Sequence, residues 1–319
     1  MKPEKDTNKK PLVIINPNSG VMPVNYVVSF GLDFLKENFS VAKSLSKNDT
    51  KEIINQNFEK HDIFIAAGGD GTVHSVAEQL VYTDKVFGVL PLGSGNGFAK
   101  EFGFNINVHS LMSSIKKGEV MPIDVIELNG HLCLNVAGIG LDSLVAHSFN
   151  DLKLRGILPY AWFTLKTFIQ LKPFPVTIWC DGEKIVSEDI FAVTIANTRQ
   201  FGNNAFIAPD AKPNDGIINL VLIKPFPKIF GPLLVIKLFT KRINKLKFVK
   251  QIKTDKEIVI ETGETRMHID GEPIKTEGKI IIKIKREALN VLKTSRNKFI
   301  RCKHKSNPIS SPTDTGTSG

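Results

Sequence analysis

The segment Ala66-Ala67-Gly68-Gly69-Asp70-Gly71-Thr72 carries the clearest chemistry in this 319-residue chain. Three glycines let a backbone approach a bulky anion. Val73, Val76, Ala77 and Leu80 follow at helical spacing, so the N–H groups and positive end of a helix would face phosphate oxygens. Asp70 inside such a loop would repel phosphate unless a cation intervenes, which points to Mg2+ or a water network around a nucleotide. A second loop of the same kind, Pro91-Leu92-Gly93-Ser94-Gly95-Asn96-Gly97, follows another apolar run, and Asn16-Pro17-Asn18-Ser19-Gly20 follows a third. Any one of these alone is ordinary turn chemistry, because Asn, Pro, Ser and Gly dominate turns. Three of them beyond the carboxyl ends of strands in one open sheet would line one crevice. Asp270-Gly271-Glu272 and Pro213-Asn214-Asp215-Gly216 read, on residue chemistry alone, as tight turns.

The elements that must place these loops are short apolar runs at 12–15, 41–45, 63–67 and 86–90, alternating with helical patterns from residue 11 to about 127. That rhythm predicts a parallel α/β sheet. From about residue 128 the pattern changes to strands and hairpins: 176–186 turning at Asp181-Gly182, then 190–197, 217–223, 257–261 and 279–285, which predicts an antiparallel β domain. The expected organisation is an α/β domain over 11–127, rejoined by residues 287–301, a β-rich domain over 128–286, and a disordered Ser/Thr/Pro/Gly tail over 302–319. Residues 155–171, rich in Trp, Phe, Leu and Tyr, are the expected helical insertion near the domain junction.

Taken in order, the motifs resemble those of the diacylglycerol kinase catalytic family, which includes bacterial lipid kinases and sphingosine kinases. The resemblance runs through Asn16 to Gly20, Gly68 to Thr72 and Gly93 to Ala99, then Ile123-Asp124-Val125, Asn135 to Gly140, Pro209 to Gly216 and His268 to Glu272. Gly-Gly-Asp-Gly-Thr by itself is shared with NAD kinases and phosphofructokinases; the ordered set, over nearly all of residues 11–300, is far more specific. It implies a three-layer α/β domain of the NAD kinase/diacylglycerol kinase type followed by an antiparallel β-sandwich. The implied reaction moves the γ-phosphate of ATP onto the hydroxyl of a membrane lipid, diacylglycerol first, with sphingoid base, ceramide or phosphatidylglycerol as alternatives. The resemblance further implies that ATP is held by Asn16, Pro17, Ser19, Gly20, Ser46, Gly68, Gly69, Asp70, Gly71, Thr72, Ser94 and Asn96, with Asp124. It makes Glu272, assisted by Asp270, the general base, and gives a structural Mg2+ to Asp215 with the backbone carbonyls of Lys212 and Ile217. Two positions depart from the pattern: Gly97 stands where many members carry Asp, and Ser75 where the first motif often ends in Glu. The change implies an altered substrate range. NAD kinase is the rival enzyme, but the chain lacks that family's Asn-Glu and Thr-Ala-Tyr segments. A non-catalytic lipid or nucleotide sensor is the rival from another class, and the retained Asp270 and Glu272 count against it.

Lys and Arg number 42 against 32 acids, a formal charge of +10 that favours an anionic partner. Ile236, Phe239, Ile243 and Leu246 recur at helical spacing among Lys237, Lys241, Arg242 and Lys245. This predicts a basic amphipathic helix over about 233–250 that would lie on an anionic membrane, although a packed surface helix with a basic outer face has the same pattern. With no aromatic-interleaved basic sheet, nucleic acid is not an expected partner. The first ten residues lack the apolar core of a secretory signal, and Lys or Arg interrupts every candidate membrane span. Cys133, Cys180 and Cys302 form no CxxC pair, which fits reduced thiols. The expected location is cytoplasmic, peripheral to the inner face of the membrane; homodimerisation stays open.

Overall fold

The computed structural model describes residues 9–17, 37–140 and 172–296. Ser19, Gly20, the expected insertion at 155–171 and the expected tail at 302–319 lie outside the described residues.

Four parallel strands begin the fold: β1 (Leu12–Ile15), β2 (Ser40–Lys43), β3 (Ile63–Gly68) and β4 (Val86–Pro91), in the spatial order β2-β1-β3-β4. β1, β3 and β4 are continuous apolar runs because parallel strands are covered on both faces. Helices α1 (Lys47–Asn57), α2 (Asp70–Glu78), α3 (Gly97–Phe102) and α4 (Val108–Lys117) send Ile54, Val76, Phe98 and Leu111 into the same core. β2 stops before Ser44 and Leu45, which the sequence assigned to it. Ser44 Oγ instead bonds the Thr50 hydroxyl at 2.6 Å and donates to the Ser46 carbonyl at 2.9 Å, turning the chain into α1. The strand registers pair Ile15 with both Lys43 and Ala67, and Gly68 with Pro91. Four loops therefore leave the sheet side by side at its carboxyl edge.

The remaining strands are β5 (Val120–Leu128), β6 (His131–Cys133), β7 (Val136–Gly140), β8 (Phe174–Cys180), β9 (Glu183–Ile190), β10 (Ala192–Ala196), β11 (Ile218–Ile223), β12 (Val249–Thr254), β13 (Ile258–Thr262), β14 (Arg266–Ile269), β15 (Glu272–Lys275) and β16 (Lys279–Leu292). The sheet β12-β11-β10-β7-β14-β15 packs Ile139, Ile195 and Leu220 against Ile178, Ile260 and Ile282 of β8, β13 and β16. This is a β-sandwich, so the α/β fold and the antiparallel fold expected from sequence are both present. β8 and β9 turn at Asp181 and Gly182, whose φ values of 53° and 83° suit a tight hairpin. β16 is 14 residues long: it pairs with β13 and β5 inside the sandwich and, past an irregularity between Lys285 and Leu289, runs parallel to β4.

The basic helix expected over 233–250 is not one element. Helix α5 (Gly231–Phe239) ends at Thr240, Lys241 turns left-handed at φ 58°, residues 243–245 make a single 3-10 turn, and β12 follows. Ile243 and Leu246 are buried with Phe226 and Leu234, so their helical spacing came from two elements packed into one core. Among the described residues no helix is long and apolar enough to cross a membrane.

Candidate active site

A cleft of about 290 Å³ opens at the carboxyl edge of the parallel strands. It is lined by Asn16 after β1, by Ser44, Ser46, Lys47 and Thr50 around the start of α1, by Gly69, Gly71, Thr72 and Ser75 around the start of α2, and by Glu272 of β15. Ser46 caps α1, its Oγ accepting from Asp49 N at 3.1 Å. Two helix N-termini thus border one space, and each favours an anion. The Thr72 hydroxyl is buried without a hydrogen-bond partner, an arrangement that a ligand oxygen would complete.

The glycines are required by close approach. A Cβ on Gly93 would stand 2.6 Å from Gly69 Cα, and one on Gly95 would stand 2.7 Å from Asp70 Oδ2. Asp70, read from sequence as a sign of a cation or water network, clamps the two loops together: Oδ2 accepts from Asn96 N and Oδ1 from Gly97 N, both at 2.9 Å. Burial holds its carboxyl above the usual range, against the pull of those two N–H groups. Asn96 closes its own loop by accepting from Gly93 N and donating to Gly93 O. Ser94 is exposed on this loop, Pro17 is half-buried after β1, and Gly68 ends β3 with its carbonyl accepting from Leu92 N at 2.8 Å. Gly97 has a steric reason: a Cβ there would lie 2.8 Å from the Phe201 carbonyl oxygen.

Glu272 and Asp270 arrive on the β14–β15 hairpin, whose turn residues Asp270 and Gly271 have φ of 52° and 87°. Turn and chemistry occupy the same residues. Glu272 reaches the cleft and forms an ion pair with Lys47. Asp270 is buried behind it and accepts from the N–H groups of Leu134, Asn135 and Val136 at 2.9, 2.8 and 3.2 Å, from Cys133 Sγ at 3.5 Å, and pairs with His74 Nδ1 at 2.9 Å. Burial alone would raise the Asp270 pKa, but His74 and the backbone donors lower it; burial alone would lower that of His74, but Asp270 raises it. Sequence reading missed His74, which is 196 residues from its partner. It also missed Lys47, whose only signal is a lysine beside a capping serine.

Asp124 lies in a different place. It is buried in β5, accepting from Gly216 N at 2.7 Å and Glu287 N at 2.9 Å, so it pins the turn that contains Asp215. Asp215 Oδ1 accepts from Ile217 N at 3.1 Å, and burial, reinforced by the charge of Asp124, raises its pKa. None of Asp124, Lys212, Asp215 or Ile217 lines the cleft. Among the described residues no three His, Cys, Asp or Glu side chains gather as a metal set.

A model of the diacylglycerol kinase catalytic domain matches residues 10–128, and a model of the YegS C-terminal NAD kinase beta sandwich-like domain matches residues 135–293. Residues 10–128 thus belong to the diacylglycerol kinase catalytic family. A diacylglycerol kinase of Bacillus subtilis (strain 168) is 33% identical over 168 residues, 51% of this chain and 55% of that protein. The chain thus spans little more than half the length of that curated relative. A crystal structure of a diacylglycerol kinase from Bacillus anthracis str. Sterne has a TM-score of 0.70 at 23% identity, covering 90% of this chain and 97% of the other. An NAD kinase from Archaeoglobus fulgidus in complex with ATP has a TM-score of 0.52 at 14% identity, covering 90% and 95%. These two likenesses establish the shared fold; in this chain the first glycine loop and Glu272 of the Asp270-Gly271-Glu272 hairpin meet at one cleft.

Proposed function

We propose that this family member transfers the γ-phosphate of ATP to the hydroxyl of a membrane lipid, with diacylglycerol as the acceptor and phosphatidic acid as the product. The observation that carries this reading is the meeting of two distant motifs. Glu272 Oε1 lies against Gly71, only 2.9 Å from where a Cβ on that glycine would sit, so a carboxylate stands over a phosphate-type loop. The name of the Bacillus subtilis relative supports the acceptor.

The N-termini of α1 and α2 and the Thr72 hydroxyl would hold the phosphates of ATP. Lys47 and Glu272 are both partly exposed, and such a pair contributes only about 0–1 kcal/mol. Phosphate would therefore draw Lys47 away and release Glu272. Glu272 then takes the proton of the acceptor hydroxyl as its oxygen attacks the γ-phosphorus and the bond to ADP breaks. A Mg2+ carried by the ATP phosphates would neutralise charge on the transferring phosphoryl group, while Asp70 holds together the two glycine loops. Asp215, with the Lys212 and Ile217 carbonyls and the neighbouring charge of Asp124, offers hard oxygen donors for a structural Mg2+.

The test is ATP-dependent labelling of mixed micelles that contain diacylglycerol, sphingosine, ceramide or phosphatidylglycerol separately. The wild type should label diacylglycerol, while Glu272→Gln should lose roughly 10²–10⁴-fold in kcat and still bind ATP. ATP binding with no labelling of any lipid would overturn the kinase reading in favour of a sensor.

A further inference from the structure

From Gly216 to Thr254 the chain carries nine Lys or Arg residues and no acid. Within it, the 3-10 turn Lys228–Phe230 runs directly into α5, and the two present one outward face. Ile229 is 82% exposed and Ile236 57%, with Phe230 and Leu233 exposed between them. These positions fall at i, i+1, i+4 and i+7, the spacing of one helical stripe. The opposite stripe, Leu234 with Leu238, faces the core that holds Phe226 and Ile243. Among the described residues nothing covers this stripe of four large apolar side chains, and an exposed apolar patch of that size marks an interaction surface. Lys237 lies along the stripe, and Lys241, Arg242, Lys245 and Lys247 are on the same segment.

We infer that this stripe is a membrane-docking surface that seats Ile229, Phe230, Leu233 and Ile236 in the interface of an anionic bilayer. Apolar side chains on a segment rich in cations and free of acids match such an interface: the acyl boundary takes the apolar groups and anionic headgroups meet the lysines. A line of contacts also joins the docking surface to the second glycine loop. Leu238 O accepts from Phe206 N at 3.0 Å, Gln200 and Phe206 form a β-bridge, and the next residue, Phe201, packs its carbonyl against Gly97 of the second glycine loop. The inference deepens the lipid-kinase reading by naming how the enzyme meets its acceptor, and it rests on that reading only for its purpose.

The experiment uses the full chain with sedimented vesicles of phosphatidylcholine alone and of phosphatidylcholine with phosphatidylglycerol, for the wild type and the triple variant Ile229→Asp, Phe230→Asp, Ile236→Asp. The altered side chains are exposed, so circular dichroism and thermal midpoint should match the wild type. The wild type should bind anionic vesicles, more weakly at high salt, and the variant at least about tenfold less well. Both proteins should bind ATP equally, which separates failure of docking from failure of the nucleotide site. Equal vesicle binding by the two proteins overturns the inference. So does a wild type that ignores vesicles but is a dimer that the variant converts to monomer, since the stripe then covers a second copy. Vesicle binding without labelling of any lipid would uphold docking and overturn the kinase reading instead.

Discussion

The buried pair of His74 and Asp270 joins the helix behind the first glycine loop to the hairpin that carries Glu272. Its titration has a definite sign. The pKa of His74 is raised in the folded protein, so its contribution to stability is fully present below the ordinary histidine value near 6.5 and fades as pH rises through the raised value. The pKa of Asp270 is lowered, so its contribution is present above the ordinary aspartate value near 3.9 and is lost as pH falls through the lowered one. Denaturant unfolding of His74→Gln should show a loss of about 1–3 kcal/mol near pH 6 that narrows toward pH 9; a loss that widens with pH would contradict the pairing. Gly97 makes a second residue-scale case. Installing the acid many family members carry, Gly97→Asp, should lower the thermal midpoint through a cost of about 1–3 kcal/mol and should not raise activity, because its Cβ meets the Phe201 carbonyl. A stable, more active Gly97→Asp would mean that the loop around Phe201 moves freely.

α3 shows how an element only six residues long can hold a loop. Glu101, fully buried on α3, accepts from Arg199 Nε at 2.6 Å and Gln200 Nε2 at 2.8 Å, so the segment after β10 fastens the second glycine loop. Glu101→Ala leaves a guanidinium without its carboxylate and should cost about 3–5 kcal/mol, with weaker ATP binding, whereas Lys47→Ala, which breaks only an exposed pair, should cost under about 1 kcal/mol. Unfolding and ATP titration of both variants check the order, and equal losses would contradict it. The same contrast explains what was legible. β1, β3 and β4 were, because burial on both faces demands unbroken apolar runs that stop at a polar or glycine loop, and β8–β9 was, because Asp-Gly marks its turn. β5 was not read as a strand, since Asp124 sits in its middle and only the distant N–H groups of Gly216 and Glu287 make that burial tolerable. The segment 233–250 was misread because Ile243 and Leu246 keep a helical period by coincidence after Lys241 has broken the helix. In the site, the glycine loops were visible as local patterns. The Asp270–His74 and Glu101–Arg199 pairs were invisible, because tertiary folding alone brings such distant residues together.

At the scale of the whole molecule, β16 decides how the two cores depend on each other. Its first half places Ile280 and Ile282 in the sandwich core, and its second half places Leu289, Val291 and Leu292 in the α/β core. β5 accompanies it, paired from Leu128 opposite Ile282 to Val120 opposite Leu292, and the chain between the halves bends where Glu287 turns left-handed at φ 49°. A strand pair shared by both cores cannot lose its partners on one side and keep its geometry on the other, so the cores should unfold together rather than in sequence. Leu289→Ala removes buried methyl groups from the α/β core alone and should cost about 2–5 kcal/mol. Hydrogen exchange followed through denaturant unfolding can then compare amides of Phe64 and Leu90 in one core with those of Ile178 and Leu220 in the other. Joint unfolding requires both sets to shift to the same lower midpoint in Leu289→Ala. A shift confined to the first set would make β16 a tether between independent units, and Glu272 would then owe its place over Gly71 to the contacts of the His74–Asp270 pair rather than to the continuous sheet.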